Sequence, residues 1–138
     1  MEIRRFDYLP DDARAIRQAV FVDEQGFEVE FDDTDDKAVH LVGYDNGKPA
    51  AVCRFFYDDE HSSYMIGRIA VVKELRGKRL GKQMVLAAEK VIKETGGEKA
   101  SLSAQLRARG FYEKLGYTKS GIEYYDEYCP HVLMSKEL

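Results

Sequence analysis

The sequence predicts one α/β domain of the α+β kind, spanning 1–138, with a mixed and mostly antiparallel sheet and helices on both faces. Three observations predict it. Strand-like runs at 38–44, 49–57 and 64–72 follow one another across short turns, which is how antiparallel hairpins are written. One crossover comes next, from the 64–72 strand through a helix at 80–95 to a strand at 99–103, and it makes those two strands parallel neighbours. With 138 residues, 44% hydrophobic and 33% charged, the chain suits a single core.

The elements follow in order. Glu2 to Tyr8 alternates as a first strand. Pro10-Asp11-Asp12 starts a helix, with proline near its first turn and acids at the positive end of the dipole. Ala13, Ile16, Arg17, Val20 and Phe21 continue it to about Val22. Asp45-Asn46-Gly47 is a tight-turn signal between two strands. Residues 58–63 are a polar hairpin loop before the 64–72 strand. Leu80, Met84, Ala87, Ala88, Val91 and Ile92 share one face of the next helix, which Gly96-Gly97 stops. A further helix is expected from Ala104 to Leu115, closed by Gly116, and then two strands, 117–125 and 132–136.

Two charged stretches stand out. Lys73, Arg76, Lys78, Arg79 and Lys82 put five basic side chains into ten residues, between a strand and a helix. A helix N-terminus offers unpaired N–H groups and the positive end of the dipole, and glycine allows close approach to the backbone. Such a turn is a phosphate or pyrophosphate cradle, or a basic surface turn of an ordinary α/β domain. No Gly-Lys-Ser or Gly-Lys-Thr of a P-loop and no two-glycine dinucleotide fingerprint occurs. The second stretch, 23–36, holds eight acids in fourteen residues and no lysine or arginine. It reads either as a solvated loop or as an acidic rim that attracts a cationic substrate. Its spacing does not fit an EF-hand.

Composition narrows the classes. A net charge of −4 argues against nucleic acid as a partner. Cys53 and Cys129 have no CxxC spacing and no histidine cluster nearby, so neither a metal site nor a disulfide framework is expected. No run has signal-peptide or transmembrane length, so no membrane association and a cytoplasmic location are expected.

Arg76-Gly-Lys-Arg-Leu-Gly81 after one strand, and Phe111-Tyr-Glu-Lys-Leu-Gly-Tyr117 after the next, resemble the GNAT superfamily of acyl-CoA-dependent N-acetyltransferases. Phe21-Val-Asp-Glu-Gln25 and Pro130-His-Val-Leu-Met134 resemble its ElaA-like (YjcF-like) branch. Arg79 departs from the motif, which usually has glycine there. The resemblance implies acetyl-CoA in a cleft between two parallel strands that splay apart, here at Ile69–Val72 and Ser101–Ser103. It implies that main chain at Ile69, Ala70 and Val71 pairs with the pantetheine arm and that a nearby N–H polarises the thioester carbonyl. Arg76, Gly77, Lys78, Arg79, Leu80, Gly81 and Lys82 would hold the pyrophosphate, with Gln105 and Phe111 completing the cofactor set.

The reaction so implied is attack of a primary amine, on a small molecule or a peptide, directly on the thioester in a ternary complex. Tyr112 matches the family's general acid; as an ordinary residue it is an aromatic filling the core beside Phe111. Many members carry a base on the strand where this chain has Gly67-Arg68. The base candidates are therefore Glu24, after the first helix, and His131, because imidazole suits proton transfer near neutrality. Glu28, Arg54 and Arg68 are candidates for substrate binding, although a buried arginine on a strand needs a partner and can serve structure alone. Two other readings stay open: a non-catalytic acyl-CoA-binding module of the same fold, and an unrelated phosphate-binding domain. A homodimer is left open.

Overall fold

The computed structural model describes residues 1–138. Its elements are β1 (Glu2–Phe6), α1 (Asp11–Arg17), a π-helical stretch (Gln18–Glu24), α2 (Thr34–Lys37), β2 (Val39–Asp45), β3 (Lys48–Asp58), β4 (Ser63–Val71), α3 (Leu80–Glu94), β5 (Lys99–Gln105), α4 (Arg109–Lys114), β6 (Thr118–Asp126) and β7 (Cys129–Glu137). They form a seven-stranded sheet in the order β1-β2-β3-β4-β5-β7-β6. Only β4 and β5 run parallel. The mixed, mostly antiparallel sheet expected from the sequence is present.

Adjacent residues on a strand face opposite sides of a sheet, so each strand feeds two cores. Val42, Val52 and Ala70 pack with Ala13 and Ile16 of α1 and Val20 of the π-helical stretch. Leu41, Cys53 and Ile66 pack on the other side with Met84, Val85, Ala88 and Ile92 of α3. Helices therefore cover both faces. The β2–β3 turn has positive φ at Asn46 and Gly47, the geometry that an Asn-Gly pair favours.

Two features of β4 shape the middle of the molecule. The first is its brief pairing with β5, limited to Tyr64 with Ala100 and Met65 with Ser101. Beyond these the strands part. The second is a bulge: the register against β3 slips between Val52–Ala70 and Arg54–Gly67, leaving one extra residue on β4. Arg68 lies in it with φ +52°.

The structure corrects one boundary in particular. No helix begins at Ala104. β5 runs to Gln105, a single 3₁₀ turn covers Leu106–Ala108, and α4 occupies only Arg109–Lys114. Ala104 is a buried strand residue paired with Val132 of β7, and that pairing outweighs alanine's helix preference.

Candidate active site

Where β4 and β5 part, a cavity of about 410 Å³ opens between them. β4 supplies Met65 to Ile69, β5 supplies Leu102, Ser103 and Gln105, and Tyr112 comes from α4. The segment after the π-helical stretch closes it with Gln25, Phe27, Val29 and Glu30, and β7 adds His131. That segment is fastened to the β6–β7 turn. The Glu127 carboxylate accepts from the N–H groups of Glu28 (2.9 Å) and Val29 (3.1 Å), and the Tyr128 hydroxyl donates to the Gln25 carbonyl.

One end of the gap is fitted to an anion. Val72 N–H donates to Ala50 O at 2.9 Å, so the alternation of the antiparallel ladder turns the polar main chain of Val71 away from β3, toward the gap. Arg79 then takes a left-handed conformation, φ 63° and ψ 23°, as the residue before α3. It adopts the backbone of the glycine usual at this motif position and accepts the strain of a Cβ there. Gly77 also has positive φ, +86°. No side chain caps α3, so its first N–H groups are free. Gly81 has space beside it: an added Cβ would meet Phe111 Cζ at 3.6 Å, an ordinary contact. Thus Phe111 and the basic turn, 30 residues apart, come together. Lys78, Arg79 and Lys82 are exposed and make no ion pair. These features fit a pyrophosphate-bearing ligand whose extended arm lies along β4.

Two groups with proton chemistry face the cavity. Tyr112 is partly buried, packed edge-on against Phe111 (5.0 Å) and Tyr117 (6.2 Å), and its hydroxyl makes no protein hydrogen bond. Burial pushes its pKa well up, so the phenol stays protonated and is available as a donor. His131 is buried and stacks on Tyr124 at 6.0 Å. Its Nδ1–H donates to the Cys129 carbonyl at 2.9 Å, which fixes the tautomer and leaves the lone pair on Nε2. Nε2 has no protein partner.

Several expectations change. Glu24 is no free base. Its carboxylate grips the Arg76 guanidinium at 2.6 and 2.7 Å, that pairing holds its pKa down, and it does not line the cavity. Arg76 also donates through Nε to Val71 O at 3.1 Å, so its side chain is engaged within the protein and only its main chain is left for the turn. Glu28 points its carboxylate to solvent and does not line the cavity. Part of the acidic segment serves the interior, while Asp23, Glu28, Asp33 and Asp36 are exposed. Glu30 and Asp35 are buried and, with Asp32, neutralise Arg17, Arg54 and Arg68. Asp35 accepts from Arg17 at 2.7 Å and from Arg54 at 2.7 Å. Ile69, Gln105, Arg54 and Arg68 line the cavity, whereas the Ala70 side chain packs under α1. Sequence reasoning missed Phe27, Ser103, Arg107 and Asp126 as lining residues. Their one signal is position, beside the recognised Gln25, Gln105 and His131 motifs.

Residues 7–138 match the family described as acetyltransferase (GNAT) domain. The chain belongs to the GNAT acetyltransferase family. The uncharacterised N-acetyltransferase YjcF of Bacillus subtilis (strain 168) is 35% identical over 129 residues, 91% of each chain. The crystal structure of Escherichia coli ElaA superposes with a TM-score of 0.86 at 25% identity, covering 99% of this chain and 100% of that one. An acyl-CoA N-acyltransferase from Pseudomonas aeruginosa shares the fold, with a TM-score of 0.85, 22% identity and 98% of each chain covered. These place the GNAT protein in the ElaA/YjcF-like branch. No helix of this family member is long and apolar enough to cross a membrane.

Proposed function

We propose that this GNAT protein transfers an acetyl group from acetyl-CoA to the primary amine of a small molecule or peptide, by direct attack in a ternary complex. The observation that carries the reading is the cavity itself. It brings a protonated phenol, an imidazole with a free nitrogen and the parted strand β4 into one space.

The parts divide as follows. Main-chain N–H groups from Gly77 to Lys82, with the Lys78, Arg79 and Lys82 side chains, hold the pyrophosphate. Val71 presents its N–H to the pantetheine arm as a neighbouring strand does, its carbonyl being held by Arg76. When bound, acetyl-CoA supplies an acyl group already activated as a thioester. His131 Nε2 accepts the proton that the acceptor amine sheds on attack, and the Cys129 carbonyl keeps the ring in the tautomer that allows it. Tyr112 Oη presents its proton toward the departing sulfur. The phenol is the weaker acid, against a thiol pKa of about 8.5, so this hydrogen bond acts as negative charge builds on sulfur in the transition state.

Replacing Tyr112 with phenylalanine keeps the ring and its packing. The expected result is a turnover about 10²–10⁴-fold lower, with folding and CoA affinity little changed. The loss shrinks with an acyl donor whose thiol leaves more easily. Turnover near the wild-type value, where chemistry limits the rate, removes Tyr112 from the mechanism. A protein that only binds acyl-CoA releases no thiol with any amine, and a panel of amines tests that alternative directly.

A further inference from the structure

We infer that the acceptor amine carries a carboxylate, and that the Arg68 guanidinium binds it inside the cavity. This rests on the transferase reading above and names its acceptor class. Three arginines meet in the buried ionic network, and two of them are closed by carboxylates. Arg17 uses Nε, Nη1 and Nη2 on Glu30 and Asp35 and is fully buried. Arg54 places both Nη atoms on Asp32 and Asp35, and its Nε, though unpartnered, is buried out of a ligand's reach. Arg68 differs. Its Nε and Nη2 edge lies on Glu30 and Asp32, but Nη1 has no partner, and the side chain keeps 24% exposure in the cavity.

The backbone points the same way. Arg68 holds φ +52° in the bulge of β4, a conformation a non-glycine residue rarely keeps. Strain of this kind persists where the surroundings fix the side chain, and here they fix it to the cavity wall. The carboxylates that meet Arg68 all lie along its Nε and Nη2 edge, so they leave the Nη1 corner without a hydrogen-bond acceptor. An anionic acceptor at Nη1 completes it. Phe27, Phe56 and Met65 make the rest of this wall apolar, so the body of the acceptor is apolar or aromatic. An aryl-substituted amino acid has this chemistry.

Isothermal titration of the CoA-loaded protein with 3-phenylpropionate and with 3-phenylpropanol tests the site without turnover. The carboxylate is expected to bind about 10–100-fold more tightly, the worth of one hydrogen bond to a charged group. Arg68→Gln is expected to erase that difference and Arg68→Lys to keep part of it. The wild-type ligand pair decides on its own if Arg68→Gln fails to fold. In turnover, phenylalanine should exceed phenethylamine by a similar factor in kcat/KM. Equal binding of the two probes overturns the inference. So does equal turnover of the two amines, which leaves the transferase reading intact. Carboxylate binding without acetylation of any amine strikes the transferase reading instead and leaves the Arg68 site standing. A preference for succinyl-CoA over acetyl-CoA, lost in Arg68→Gln, places the carboxylate on the acyl chain and overturns its assignment to the acceptor.

Discussion

The acidic segment 23–36 and the basic turn 73–82 are the two densest charge runs in the chain, and the structure treats them in opposite ways. Two of the eight acids are drawn inside. Glu30 and Asp35 are buried and, together with Asp32, fully engaged with arginines from α1, β3 and β4. The bases stay out: Lys78, Arg79 and Lys82 are exposed and unpaired around an uncapped helix start. One run fixes the shape of a cavity; the other leaves its charge for something that is not protein. What separates them is the partner each finds. Charges taken out of water stay charged when an opposite charge and hydrogen bonds meet them. Charges that stay in water keep their field for a ligand.

Asp35→Ala should break this contrast most severely. It strands Arg17 and Arg54 in the interior, and the expected loss is about 3–5 kcal/mol of folding stability by denaturant titration. The same residue gives the network a pH signature. Burial opposes its charge, but the hydrogen bonds from Arg17 and Arg54 win and hold its pKa well below the ordinary carboxylate value. A depressed folded-state pKa adds stability that is complete above the unfolded value, about 3.9, and is lost as pH falls below it. Glu30 has the opposite sign, because burial raises its pKa, so it blunts the acid loss without reversing it. Melting temperature should therefore fall as pH drops below about 4, and Asp35→Asn should flatten that slope. An unchanged slope rules out Asp35 as its source.

At the basic end, substitution should leave the fold alone and change the ligand. Gly81→Asp has room for its Cβ beside Phe111. Its carboxylate sits in the first turn of α3, where an anion suits the dipole, so the free protein should melt no lower. CoA binding should weaken by about 1–3 kcal/mol, measured by titration. Unchanged affinity moves the pyrophosphate elsewhere. The smallest effect is expected at the other departure from the motif. Arg79→Gly removes the strain of a left-handed arginine but loosens the unfolded chain, and the net gain in stability should be at most about 1 kcal/mol.

Much of this was legible in the sequence where the information is local. Periodicity gave the hairpins and α3, Asn46-Gly47 gave its turn, and the single crossover gave the parallel pair β4–β5. What depended on distant partners was not legible. Arg17 and Asp35 are 18 residues apart in sequence and meet only once β2 and β3 bring the segment over the sheet. Glu24 reads as a free carboxylate until the fold sets Arg76, 52 residues away, against it. The short α2 hides among acids that read as loop. The strained backbone of Arg68 had one local hint, the glycine before it. At the site, the Phe-Tyr-x-Lys-x-Gly-Tyr motif led to Tyr112, whereas the orientation of His131 depends on the carbonyl of Cys129, which no spacing rule reports.

The early parting of β4 from β5 has a consequence for the sheet as a whole. Past Met65 and Ser101, two strands in the middle of seven lack each other's hydrogen bonds, so the sheet carries an edge at its centre. An outer edge invites any passing strand. This one faces an interior cavity of about 410 Å³, where an extended chain can lie. In amide hydrogen exchange the cleft-facing groups of β4 and β5 should behave as edge groups do, opening at low free energy between slow neighbours on either side. Their protection should rise when such a chain lies between the strands. The centre of the sheet is thus the part of this molecule whose local stability a ligand can set.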